Sequence, residues 1–144
     1  MTKIFLSLLV FTVFSLTSCD KKGCTDVDAI NHNGKANSND NSCRYFGDCI
    51  IWFDIEKQVE YTNDTIPAIY CYVEDELIGT IDAFNYTGTP PSCGSPKGLN
   101  YVHDLARKRS DSIELKIKKS NDTLISTHTF MVKTNECSAF KIPN

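Results

Sequence analysis

Ile66-Pro67-Ala68-Ile69-Tyr70-Cys71-Tyr72-Val73, then Glu74-Asp75-Glu76, then Leu77-Ile78-Gly79-Thr80-Ile81, is the stretch that decides the fold. The first run is rich in β-branched and aromatic residues, which suit a pleated, half-buried surface. Side chains alternate along a strand, so Ile69, Cys71 and Val73 share one face and Ala68, Tyr70 and Tyr72 the other. The three acids make a charged turn, and Leu77 to Ile81 returns as the second arm of a hairpin.

The same signature recurs on both sides. Gly47 to Ile55 alternates, with Cys49, Ile51, Phe53 and Ile55 opposite Ile50, Trp52 and Asp54, which predicts a strand. Gln58 to Thr62 continues it or starts a second one, and Asn63-Asp64 turns the chain. Gly88 to Gly98, dense in proline and glycine around Cys93, is a loop. Leu99 to Arg109 reads as a short strand or as a turn of helix starting near Asp104. Ile113, Leu115 and Ile117 alternate with Ser112, Glu114, Lys116 and Lys118, a strand with one wet face. Asn121-Asp122 turns, Thr123 to Lys133 is the longest strand, and Cys137 to Ile142 ends the domain. Short strands at this spacing predict an all-β fold: an antiparallel β-sandwich, immunoglobulin- or transthyretin-like, over residues 46–144.

Composition bounds the function. The 144 residues are 41% hydrophobic and 23% charged, the balance of one small globular domain. A formal net charge of −3 and the lack of RNP-like or zinc-knuckle patterns argue against nucleic acid. No G-x-S-x-G, P-loop, H-E-x-x-H, G-x-G-x-x-G or C-x-x-C is present, so no enzymatic activity is expected. The histidines are scattered, and His128, alternating with Phe130 and Val132, reads as a packed or edge residue.

At the N-terminus, Lys3 precedes an apolar run from Ile4 to Leu16, too short to span a bilayer of about 30 Å. It fits a signal-peptide core, but no A-x-A-like site follows. Leu16-Thr17-Ser18-Cys19, followed by Asp20-Lys21-Lys22, resembles the bacterial lipobox. The resemblance implies that residues 1–18 are removed as a signal peptide and that Cys19 is lipidated and bound to a membrane through its acyl chains. The chain would then be an envelope lipoprotein, at the outer membrane rather than the inner one, with the lipid bilayer as its first partner. Six further cysteines remain, an even number in an oxidising compartment, which reads as a disulfide framework whose pairing spacing alone cannot choose.

Residues 19–45 form a lipidated tether and loop. Asn31, Asn33, Asn37, Asn39 and Asn41 lie among Asp26, Asp28 and Asp40, with too little apolar surface to fold unaided. Cys24 and Cys43 flank the segment, and joining them would stabilise it by about 3 kcal/mol. Gly23-Cys24-Thr25-Asp26, Ala29, Asn31, Ala36 and Asn39-Asp40-Asn41-Ser42-Cys43-Arg44-Tyr45 resemble a short repeat of exported Bacteroidetes-type proteins, roughly C-T-D-x-x-A-x-N-Y-x-x-x-A-x-x-D-D-G-S-C-x-Y. That resemblance implies a Cys24–Cys43 bridge. Asp26, Asp28, Asn31 and Asp40 offer hard oxygens for calcium. The alternative is a stapled spacer, since Asp and Asn also serve turns. No other cofactor is expected.

Further motifs resemble small Bacteroidetes-type lipoproteins: Gly47 with Ile51-Trp52-Phe53, Tyr72-Val73 with Ile78-Gly79-Thr80-Ile81, Pro91-Ser92-Cys93-Gly94, and Cys137-Ser138-Ala139-Phe140-Lys141-Ile142. The resemblance implies a Cys93–Cys137 bridge. Cys49 and Cys71 are then left for each other, and a third bridge is expected, the alternative being two buried thiols.

Three softer features complete the reading. Arg107, Lys108, Arg109, Lys116, Lys118 and Lys119 form a basic cluster, either a solvated face or a contact for anionic glycans or headgroups. Asp64-Thr65-Ile66, Asp111-Ser112-Ile113 and Asp122-Thr123-Leu124 resemble the Bacteroidetes-type O-glycosylation acceptor, which implies modification at Thr65, Ser112 and Thr123. Trp52, Tyr70, Tyr72 and Tyr86 could line a glycan platform if exposed, and would pack in the core otherwise. The expectation is a non-enzymatic binding or structural module of the envelope, with a glycan or an envelope protein as partner. The alternative is an accessory subunit docking by a strand edge.

Overall fold

The computed structural model describes residues 20–144; the expected signal peptide over 1–18 and the expected lipidation at Cys19 fall outside the described residues. In chain order the described residues form β1 (Lys22–Gly23), β2 (Ser38–Asn39), β3 (Tyr45–Trp52), α1 (Ile55–Asn63), β4 (Ala68–Val73), β5 (Glu76–Asp82), β6 (Leu99–Ala106), β7 (Ser110–Lys118), β8 (Leu124–Lys133) and β9 (Cys137–Lys141).

The hairpin is β4 and β5. Val73 pairs with Glu76, so the turn is Glu74-Asp75, one residue shorter than the three acids suggested. Both turn residues are left-handed, at φ 51° and 66°, the backbone of a type I′ turn that usually selects Asn-Gly. β4 pairs on its other side with β7, and β7 with β8, giving a four-stranded sheet ordered β5-β4-β7-β8. A three-stranded sheet, β6-β3-β9, packs against it, with β3 and β9 parallel. Lettered A to G in chain order from β3, the strands divide as D-A-G and C-B-E-F. An immunoglobulin constant domain divides as A-B-E-D and C-F-G, so the strand order here differs from the immunoglobulin one. Cys49, Ile51 and Leu105 of the smaller sheet meet Ile69, Cys71, Val73, Ile113, Leu115, Ile117 and Val132 of the larger one in a common core.

The strand expected to run to Ile55 stops at Trp52, and the segment around Gln58–Thr62 is helical. Asp54 ends the strand: its side chain accepts a hydrogen bond from the Lys57 N–H at 3.2 Å and caps α1. Lys57 and Tyr61, four residues apart, are the positions that α1 buries, and the Tyr61 ring stands edge-on to Phe53 at 5.4 Å. The open choice at Leu99–Arg109 resolves as strand β6.

The loop over residues 83–98 lies over the Ile50 and Trp52 end of the outer face of the smaller sheet, while Phe46, Asp48, Val102 and Ala139 on the same face stay exposed. Cys137 stands opposite Asp48 in register, and the Cys93–Cys137 bridge fastens the loop to it. The Asn100 side chain accepts from the Gly94 N–H at 2.5 Å and donates to the Ser95 carbonyl at 2.8 Å. Gly98, at φ 152°, presses on β3 so closely that a Cβ there would stand 2.7 Å from the Ile51 carbonyl and 2.9 Å from Ile50 Cγ1. Ile50 and Trp52 are buried on the outer side of β3, as Cys49 and Ile51 are on the inner side.

The expected Cys49–Cys71 bridge is absent: both thiols are free and buried. β3 and β4 belong to different sheets. The two strands are therefore not hydrogen-bonded neighbours, and the adjacency that was expected to set the thiols side by side does not form. Alternation told which face each cysteine takes, but not which sheet. The Cys49 thiol points at the Tyr101 carbonyl, 3.3 Å away. Burial, with Asp48 adding to it at Cys49, pushes both thiols up to about 12.

Two outcomes follow from this packing. A Cβ on Gly47 would crowd Leu105 Cδ1 at 3.3 Å and the Lys133 carbonyl at 3.0 Å as well as Val132; Gly47→Ala should lower the unfolding free energy by about 1–3 kcal/mol in urea titration. Alkylation of the unreduced protein should label neither Cys49 nor Cys71 while native and both after denaturation. A denatured chain that takes up no label would show that the two are bridged after all.

Candidate functional site

With Ile50 and Trp52 on the smaller sheet sheltered by the loop, the outer face of the four-stranded sheet offers a broad open surface that carries aromatic rings. Tyr70 and Tyr72 stand on it, half-buried, because Ile69, Cys71 and Val73 take the core side of β4. Register places Lys118 beside Tyr70 and Lys116 beside Tyr72 on β7, and Thr80 and Leu77 beside them on β5. Thr127 and Thr129 of β8 extend the surface beyond Lys116 and Glu114. The Lys118 ammonium lies 4.6 Å from the centre of the Tyr72 ring, a cation–π arrangement.

Both lysines are held in place by carboxylates. Lys116 Nζ donates to Asp75 Oδ1 at 2.6 Å, and Lys118 Nζ to Asp122 Oδ1 at 2.8 Å. These hydrogen bonds hold both ammonium groups above the usual lysine range, so the surface keeps fixed positive charges. Two half-exposed rings flanked by ammonium and hydroxyl groups can stack an apolar ring face and hydrogen-bond its polar rim. Of the other aromatics proposed for a platform, Trp52 is buried in the core and Tyr86 lies on the covering loop.

The Asn/Asp-rich loop is built otherwise than a cation site. The Cys24–Cys43 bridge closes it, with Cα atoms 4.8 Å apart, and β1, just before Cys24, pairs in parallel with β2 inside the loop. Asp40 accepts from the Ser42 N–H at 3.0 Å, and Asn31 spends both ends of its amide on the Ser42 carbonyl and the Arg44 N–H. Asp26 and Asp28 are taken by Arg109 of the β6–β7 turn, at 2.6 and 2.8 Å. The Tyr45 hydroxyl also donates to Asp26, and its ring lies 5.7 Å from the guanidinium carbon. Among the described residues no three acidic, His or Cys side chains gather as metal ligands; of the four residues proposed for calcium, Asp26 and Asp28 face Arg109, while Asn31 and Asp40 serve local turns.

Elsewhere the expected sites are dispersed. Thr65 and Thr123 are exposed at turns near one end of the larger sheet, Thr65 at φ 55°, while Ser112 is exposed within β7. His103 is buried beside Tyr101. His128 Nε2 is 2.9 Å from Ser126 Oγ, with Phe140 against its ring at 5.6 Å. Burial, and then Lys57, lowers its pKa. A nucleophile–base pair needs a third group to orient the base, and no acid is paired with His128 among the described residues. Compared with protein-family models, curated proteins and solved structures, the chain finds no match in any of the three. Fold and surface therefore define the class alone: a small disulfide-stapled β-sandwich whose larger sheet presents an open tyrosine-bearing face.

Arg109 is what sequence reasoning missed. It stood in a run of basic residues, and nothing local marks it as the partner of an aspartate 83 positions away. The clasp should be acid-sensitive. The Tyr45 hydrogen bond first, then the Asp28 N–H and Arg109, hold the Asp26 carboxyl below the usual range. A depressed carboxyl contributes its stability above its ordinary value near 4 and loses it as pH falls through the folded-state value. Amide exchange within residues 25–42, corrected for intrinsic rates, should therefore rise between pH 5 and pH 3. Asp26→Asn should show the raised exchange already at pH 6; equal protection at every pH would contradict the clasp.

Proposed function

We propose that the protein is a lipid-anchored, non-enzymatic binding module of the bacterial envelope, at the outer membrane, that holds a polysaccharide on the outer face of its four-stranded sheet. The observation that carries this reading is the open tyrosine face itself: Tyr70 and Tyr72 stand half-exposed beside Lys116 and Lys118, while on the other sheet a disulfide-fastened loop lies over Ile50 and Trp52. Side chains two apart on a strand are separated by about 6.8 Å, so the two rings offer successive stacking positions along an extended chain. Local charge is balanced, since Asp75, Asp122 and Glu114 accompany the two lysines, which favours hydroxyl-rich partners over strongly anionic ones. The lipobox resemblance at Cys19 supplies the membrane.

The test is affinity electrophoresis through gels containing neutral or acidic envelope polysaccharides. Tyr72→Ala should lose at least tenfold in affinity for the retaining polysaccharide, with the melting temperature shifted little because the ring is on the surface. Retention unchanged by Tyr70→Ala and Tyr72→Ala together would refute the platform. Co-purification of a stoichiometric envelope protein with no polysaccharide retention would favour the accessory-subunit reading.

A further inference from the structure

We propose that a second site, beside the point where the chain enters the fold, binds the phosphate of an anionic lipid headgroup in the leaflet that holds the acylated Cys19. The inference rests on the reading of Cys19 as lipidated. The site is a pocket of about 190 Å³ lined by Asn39, Asn41, Cys43, Tyr45 and Arg107. One water takes about 30 Å³ of liquid, so the pocket has room for a phosphate group. Its walls are mixed, with the Asn39, Asn41 and Arg107 side chains supplying the polar part and Cys43 and the Tyr45 ring the apolar part. The Asn41 N–H donates to Asn39 Oδ1 at 2.9 Å, with Asn41 in the left-handed region at φ 62°; the turn sets two carboxamides beside one guanidinium.

Arg107 is the cation of this pocket. Its neighbours in sequence are occupied, Lys108 by Asp111 and Arg109 by Asp26 and Asp28. Arg107 itself enters none of the ion pairs among the described residues, and neither do Lys21 and Lys22 at the entry of the chain. A guanidinium is the side chain best shaped to grip phosphate oxygens two at a time. Asp40 lies close enough to Lys22 to feel its charge, and leaves Arg107 unpaired.

Chain geometry selects a lipid as the source of the phosphate. Gly23 of β1 pairs with Asn39 of β2, and Lys22 with Ser38, and paired strands lie about 4.8 Å apart. Three peptide units separate Cys19 from Lys22, a reach of about 10 Å at full extension. Any bilayer that takes up the acyl chains of Cys19 therefore presents its headgroups beside the pocket. Contact at Arg107 would give the molecule a second point of attachment and fix which face it turns to the membrane.

The lipidated protein, reconstituted in vesicles of phosphatidylcholine alone or with one third phosphatidylglycerol, tests this by arginine modification with phenylglyoxal read by mass spectrometry. Arg107 should react about fivefold more slowly in the anionic vesicles, while Arg44 and Arg109, already paired with carboxylates, change equally little in both. Equal reactivity of Arg107 in the two vesicle types would overturn the proposal. So would equal protection by millimolar inorganic phosphate in neutral vesicles, which would make this a site for free phosphate. The N-terminal peptide of the same digest reports the acyl group on Cys19: its absence sinks the lipid-anchor reading itself, whereas its presence with an unprotected Arg107 sinks the headgroup site alone.

Discussion

β3 has to be covered on both faces, and the rest of the structure answers to that. Cys49, Ile50, Ile51, Trp52 and Phe53 are consecutive and all buried, so no single opposing sheet can shelter them. The inner side chains meet the four-stranded sheet. The outer ones need a lid, because leaving a side chain of the size of Ile50 in water forgoes roughly 1.5–3 kcal/mol. The proline- and glycine-rich loop is that lid, and it needs fastening: a segment with few apolar residues of its own would not stay over Ile50 without the Cys93–Cys137 bridge and the Asn100 hydrogen bonds. The asymmetry of the molecule follows. One strand, β3, is sheltered on both sides at its Cys49–Trp52 end, and the four-stranded sheet is left with a bare outer face.

The N-terminal segment solves a similar problem by other means. It has almost no core of its own, so its order comes from a disulfide, from Asx-type turns at Asp26, Asn33, Asn39 and Asp40, and from one arginine donated by the β6–β7 turn. Its aspartates have two uses at once. They turn the chain, and they fix the loop to the sandwich, so the carboxylates that suggested a cation site are the ones that anchor the loop.

Much of the fold was legible in residue alternation. Ile69, Cys71 and Val73 against Tyr70 and Tyr72, or Ile113, Leu115 and Ile117 against Lys116 and Lys118, give strand and face directly, because a half-buried strand writes its two environments into alternate letters. Two of the three cysteine pairs were implied by resemblance and are present. What failed had a physical reason in each case. The helix after Asp54 was hidden because β3, buried on both faces, gives an apolar run that flows into Ile55 without a break in hydrophobicity; only the capping aspartate marked the change. The Cys49–Cys71 pairing failed because burial is a local property and sheet membership is not. The Arg109 clasp, joining residues more than eighty positions apart, left no trace in the sequence. The tyrosine face was visible as alternation, but its exposure depended on which sheet received the lid.

The account stands on a loop closed over Ile50 and Trp52 with the tyrosine face of the other sheet open, and hydroxyl-radical footprinting of the native protein tests this most directly. Tyr70 and Tyr72 should oxidise at rates typical of half-exposed side chains, while Trp52 and Tyr61 stay protected until the protein is denatured. Rapid oxidation of Trp52 in the native state, with Tyr70 and Tyr72 protected, would mean that the lid lies over the other sheet, and would contradict the account.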